Sequence, residues 1–242
     1  MIYVYDGTFE GFLSVIFDAY SMKIQPNNIV SSTHGFQMSL TEEYFHVKTT
    51  EEKSDRIIAA LEKLGVTEKV TFAFLSWMPE REMALFRYIA LGFRVKEKLT
   101  HMLADDEVRK VNDMANQTGQ EKKKWKGFLR FSVMENRVFF AEMSPKNNVL
   151  TLIMPHFSRR FRVKPFLIHD QTYRQVGVFD TREWCVVPSE GLIPPDMHSD
   201  ELKYRHMWKT FYDSTAMAER TNLKQRQQVM PLRYQKHLVE LH

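Results

Sequence analysis

Cysteine is nearly absent from the 242 residues: Cys185 stands alone, so no intrachain disulfide can form. Its neighbours Trp184 and Val186 are apolar, which makes a buried small side chain the expectation and suits a reducing compartment. No apolar run approaches the roughly 20 residues that span a bilayer, and the first residues lack the basic flank and apolar stretch of a signal peptide. A cytoplasmic location with no membrane partner is therefore expected. Glycine-rich phosphate cradles are missing too. Gly7 and Gly11 flank the first helix, but neither GxGxxG nor GxxxxGK[ST] occurs, and HExxH and GxSxG are equally absent. The nine histidines are scattered rather than spaced for zinc, so no metal and no cofactor is expected.

What is present is a chain 43% apolar, long enough to bury a real core. Its 34 Lys and Arg nearly balance its 30 Asp and Glu, so the formal charge of +4 matters less than where the charges lie. Residues 1–100 hold 11 basic and 13 acidic side chains, whereas residues 122–174 hold 12 basic and only 3 acidic. A second basic excess lies in 201–242. Both basic regions contain aromatics, the mixture a nucleic-acid surface requires.

The opening residues 2–5 read as a buried strand, Asp6-Gly7 as a turn and Thr8 as the N-cap of a helix whose apolar stripe starts at Phe9. After a loop around Pro26, a strand is expected over 44–48. The helix behind it carries Ile57, Ile58, Leu61 and Leu64, with Thr49 and Glu52 spaced as a capping box. Helices are expected over 67–77, over 79–92 with Pro79 at the first helical position, and over 105–116. A hairpin over 128–134 and 137–143 and strands over 166–169, 175–179 and 184–187 predict an antiparallel middle third. Residues 191–195 read as a linker, 199–220 as a helix and 222–242 as a basic tail ending in short helical pieces. No internal repeat is visible. The expected class is α+β: a helical N-terminal layer with an opening strand (1–120), a mainly antiparallel basic sheet (121–190) and a C-terminal helical segment with its tail (191–242), together one compact domain.

Chemistry concentrates in Pro155-His156-Phe157-Ser158-Arg159-Arg160-Phe161 and in His169-Asp170. Arginine forks clamp phosphate oxygens bidentately, and a neighbouring histidine either donates to phosphate or moves protons near neutral pH. His156, His169 and Asp170 are the candidate catalytic groups. The plainer alternatives are surface or helix-end roles for the first segment, and for Asp170 a strand-end turn bonded to nearby amides. Candidate nucleic-acid contacts are Lys124, Lys126, Arg130, Arg159 and Arg160 in the middle region. Arg220, Asn222, Arg226, Arg233 and Tyr234 are the candidates in the tail, where cations displace counterions and an aromatic ring stacks on a base. A solvated basic tail is the alternative there.

Several ordered motifs together resemble a known family. They are Tyr5-Asp6-Gly7-Thr8-Phe9-Glu10-Gly11-Phe12, Glu121 followed by Lys126-Gly127-Phe128-Leu129-Arg130-Phe131, Pro155-His156-Phe157 with Arg159-Arg160-Phe161, and Ile168-His169-Asp170. Trp208-Lys209, Glu219-Arg220 and Met230-Pro231 with Arg233-Tyr234 complete the set. Spread over nearly the whole chain, they resemble an uncharacterised bacterial family associated with DNA metabolism or DNA repair. The resemblance implies a radical S-adenosylmethionine protein encoded nearby as partner, and relatives fused to a uracil-DNA glycosylase-like domain. Gln235 replaces the family's usual tryptophan and Lys123 a common histidine.

Three readings follow. The first is a DNA-binding accessory protein that serves the radical S-adenosylmethionine partner. The second is a DNA-processing enzyme of glycosylase, lyase or nuclease type, centred on His156, His169 and Asp170. The third is an interaction scaffold without DNA affinity.

Overall fold

The computed structural model describes residues 1–34, 41–192, 196–215 and 223–241. The chain divides into two compact units, Met1–Gly119 and Gln120–His242. It is mixed α and β, with a sheet in mid-sequence and helices towards both ends, as the sequence led us to expect.

The first unit opens with β1 (Ile2–Tyr5), all four residues buried, and α1 (Phe9–Met22). Thr8 caps α1 by accepting from the Gly11 amide at 2.9 Å, while Asp6 Oδ1 accepts from the Thr8 amide and hydroxyl at 2.9 and 2.6 Å. Gly7 lies at φ +82°, where a side chain would be strained, and its missing Cβ leaves room for Ser31 and Thr33. Next come β2 (Asn28–Ser31), β3 (Tyr44–His46), α2 (Glu51–Lys63), α3 (Thr67–Phe74) and α4 (Arg81–Val95). The strands form a parallel sheet in the order β2-β1-β3. β2 was unforeseen: it holds only two apolar residues, and Ile29 alone is buried. The capping box also fails. Thr50 is the N-cap without a side-chain bond, because the Thr49 hydroxyl donates to Asp6 Oδ2 at 2.8 Å instead. Pro79 falls two residues short of α4, whose N-cap Glu80 turns through φ 59°.

Helix α5 (Asp106–Phe128) runs well past the expected end at residue 116. Its buried positions, Val108, Val111, Met114, Thr118, Glu121 and Trp125, keep the helical spacing throughout. Two polar members, Thr118 and Glu121, interrupt the apolar signal. The lysine run 122–126 is consequently helical, and its tryptophan points inward.

The second unit contains β4 (Ser132–Val133), β5 (Phe139–Met143), α6 (Leu150–Arg160), β6 (Phe166–Asp170), β7 (Gln175–Phe179) and β8 (Trp184–Pro188). The five strands pair in sequence order. Three pairings are antiparallel, and β5 with β6 is parallel because α6 makes the crossover between them. One sheet face, carrying Ala141, Met143, Phe166, Ile168 and Phe179, packs with Ile153, Met154 and Phe157 of α6. Cys185 is exposed, contrary to expectation. It opposes Val178 on the other face of the edge strand β8, so its apolar neighbours in sequence do not cover it.

The chain continues with α7 (Ser199–Thr215), α8 (Leu223–Val229), α9 (Leu232–Gln235) and a 3-10 turn at Val239–Leu241. The end of the basic tail is not solvated: Tyr234 and Leu238 are 0% and 1% exposed and belong to the core. No described helix is long and apolar enough to cross a membrane.

Candidate functional site

The last turns of α5 and of α6 bring Lys122, Lys126, His156, Arg159 and Arg160 into one positive field. On α6 the positions 150, 153, 154 and 157 face the sheet, leaving 156, 159 and 160 on the outer side of the helix. The core beneath holds Trp125 of α5 and Phe157 of α6, so the two basic segments share a foundation. Pro155 sits inside α6, where it removes one helical hydrogen bond.

The electrostatics record how close these cations are. Partial burial, then Lys126, Arg160 and Arg159, hold the His156 imidazole below its ordinary pKa. Partial burial, then Lys122 and Arg159, lower the Lys126 ammonium. Among the described residues, Lys126, Arg159 and Arg160 have no carboxylate partner. Uncompensated like charges raise the energy of each protonated group, and a bound anion would relieve all of them together. Partial burial and the neighbouring cations both favour the neutral form of His156. Removing the cations should raise its pKa: in an NMR titration, the Arg159→Ala/Arg160→Ala variant should give a higher His156 midpoint than the parent. An unchanged midpoint would mean that burial and Lys126, rather than the two arginines, set it.

The other candidates lie elsewhere in this unit. Asp170 is fully buried and closes the turn after β6, accepting from the Thr172 and Tyr173 amides at 2.9 and 3.1 Å and from Gln175 Nε2 at 3.3 Å. Burial pushes its carboxyl up despite these bonds. His169 leaves β6 on the opposite face, 3.6 Å from Glu142 and beside Phe140. Strand alternation therefore parts His169 from Asp170, and α6 packs on the Asp170 face.

Arg233 and Tyr234 reach buried Glu121, and Lys124 and Arg233 lie over the Tyr234 ring. The Tyr234 ring lies 4.7 Å from Trp125 and 5.4 Å from Phe128, with the Arg233 guanidinium 5.0 Å from its centre and the Lys124 ammonium 6.0 Å away. A ring enclosed in this way offers no open face for a base. Gln235, also buried, donates to the Met230 carbonyl at 2.7 Å. Arg130 is ion-paired with Glu240 at 2.7 Å. Arg226 is half-buried on α8, and Arg220 and Asn222 lie outside the described residues. Lys122, which joins the patch through Lys126, was singled out in sequence only as part of the lysine run. Its spacing of four from Lys126 on one helix was the available signal. Among the described residues no three His, Cys, Asp or Glu side chains converge as they would around a metal ion.

No curated protein sequence and no solved structure is significantly similar to this chain. One family model does match, over residues 79–240, covering the end of the first unit, the whole sheet of the second and the helices that follow. Since the match spans more than half of the chain, the protein belongs to the family defined by the domain of unknown function DUF4130.

Proposed function

We propose that this protein binds the phosphate backbone of nucleic acid through the patch formed by Lys122, Lys126, His156, Arg159 and Arg160. The supporting observation is the positive field of Lys126, Arg159 and Arg160, which lack carboxylate partners among the described residues and which add to partial burial in lowering His156 and Lys126. Two adjacent guanidinium forks suit phosphate oxygens, and a neutral imidazole beside them donates one further hydrogen bond. The family resemblance extends this reading to an accessory role in DNA repair or DNA metabolism, with a radical S-adenosylmethionine protein as the enzyme served.

The test is fluorescence anisotropy of labelled single-stranded, duplex and uracil-containing DNA across a salt series. Binding should weaken linearly on a log–log plot as counterions are retained at high salt. The Arg159→Ala/Arg160→Ala variant should bind about tenfold more weakly, with a slope smaller by about 2 on duplex DNA. No binding at low salt, or an unchanged slope in the variant, would overturn the reading.

A second reading, a protein-interaction scaffold, draws on α7. Tyr204, Met207, Trp208 and Phe211 recur at helical spacing and are 43–65% exposed. Co-purification of a partner without DNA affinity would favour it.

A further inference from the structure

The second unit also contains a cleft of about 600 Å³, separate from the basic patch in its lining residues. Its wall includes Phe140 and Glu142, which leave β5 on the side away from α6, together with Met134 and Met197. Its size falls within the range of small-ligand sites, roughly 300–1,000 Å³.

Two arginines line it, and each is held by a glutamate that is only 8% exposed. Arg130 Nη2 donates to Glu240 at 2.7 Å. Arg205 Nε donates to Glu201 at 3.4 Å while its terminal nitrogen donates to Ser132 Oγ. Glu201 in turn accepts from the Val133 amide at 3.0 Å, tying α7 to β4. Anchored from behind, the guanidinium groups lose little entropy on meeting a ligand. Lys209 and Lys236 add two further cations to the lining, and Lys236 has no ion pair among the described residues. His237, neutral at pH 7 because burial pushes it down to about 4, is hydrogen-bonded to Ser144 at 3.2 Å.

The same wall carries Glu142 and Asp196, which would repel a polyanion lying along it. Those carboxylates instead suit the hydroxyl or amino donors of a ligand whose negative charge is confined to one end. The soft thioethers of Met134 and Met197 and the ring of Phe140 suit a flat apolar body. We propose that the cleft binds a nucleoside 5′-phosphate, with the monoester at the arginines and lysines and the base against Phe140 and the methionines. Free mononucleotides and 5′-phosphorylated nucleic-acid ends share this chemistry.

The full chain is titrated by calorimetry with adenosine 5′-monophosphate, adenosine and inorganic phosphate. A short 5′-phosphorylated oligonucleotide and its 5′-hydroxyl counterpart are compared in the Arg159→Ala/Arg160→Ala background, where patch binding is weakened and is common to both oligonucleotides. The monophosphate should bind more tightly than adenosine or phosphate. Exposed Lys236→Glu should weaken it at least about tenfold, and Arg205→Lys, which keeps the charge but loses the fork, should weaken it as well. A 5′-phosphate preference between the oligonucleotides would identify nucleic-acid ends as a source, and monophosphate binding without that preference would identify free nucleotides. Absence of monophosphate binding, equal binding of adenosine or phosphate alone, or indifference to Lys236→Glu and Arg205→Lys would overturn the proposal.

Discussion

Replacing Glu121 with alanine is expected to destabilise the second unit by about 3–5 kcal/mol. The carboxylate is 3% exposed and satisfies several donors at once. The amides of Lys146 and Asn147 donate to it at 2.8 and 2.7 Å, the Asn147 side chain at 2.6 Å and the Tyr234 hydroxyl at 3.4 Å, with Arg233 also 3.4 Å away. Each donor comes from a segment remote in sequence, so this one side chain joins α5 to the loop before α6 and to α9. Alanine would take the Glu121 acceptor from the Asn147 amides and the counter-charge from the nearby guanidinium. Urea unfolding followed by circular dichroism measures the loss, and a decrease below about 1 kcal/mol would show that water or rearranged neighbours replace the carboxylate.

Gly177→Val should have the second largest effect, about 3 kcal/mol, at the upper end of what overpacking a core causes. A Cβ at this position would meet Met154 Sδ at 2.4 Å and Leu150 Cδ1 at 3.2 Å, and both partners are fully buried on α6. Valine adds two more carbons in the same direction. The helix would have to lift from β7, and it carries His156, Arg159 and Arg160 with it. The variant should therefore lose nucleic-acid affinity along with stability. Adding Met154→Ala should cost less in the Gly177→Val background than alone, because the two changes compete for one volume. Simple additivity would place the clash elsewhere.

Much of the architecture was readable because strands β1, β6, β7 and β8 and helix α1 follow the period of their own element, from Ile2 through Val187. The misses share a cause: polar or awkward residues occupy structural positions. Glu121 and Thr118 break the apolar stripe of α5, so the helix was expected to end at residue 116, before the lysine run. Pro155 hid α6, although Leu150, Ile153, Met154 and Phe157 have helical spacing. Cys185 was misjudged because its sequence neighbours on a strand point the other way. Tyr234 looked like a stacking residue for the same reason that it is a core residue: a large ring among cations satisfies either role, and only Trp125 and Phe128 decide between them. The basic patch was visible as two separate segments about thirty residues apart. Nothing in either segment announces that α5 and α6 share a core.

The contacts of the α9 region also set the order of events during synthesis. Tyr234 meets Glu121 across 113 residues and Glu240 meets Arg130 across 110. The sheet from β4 to β8 can pair progressively as it emerges, but the buried Glu121 stays without two of its partners, and Arg130 without its own, until the chain has been translated through residue 240. A ribosome-bound chain halted before α9 should hold a collapsed second unit still open to proteases, which closes within one late step, since pairings of such long range carry the largest loop-closure entropy.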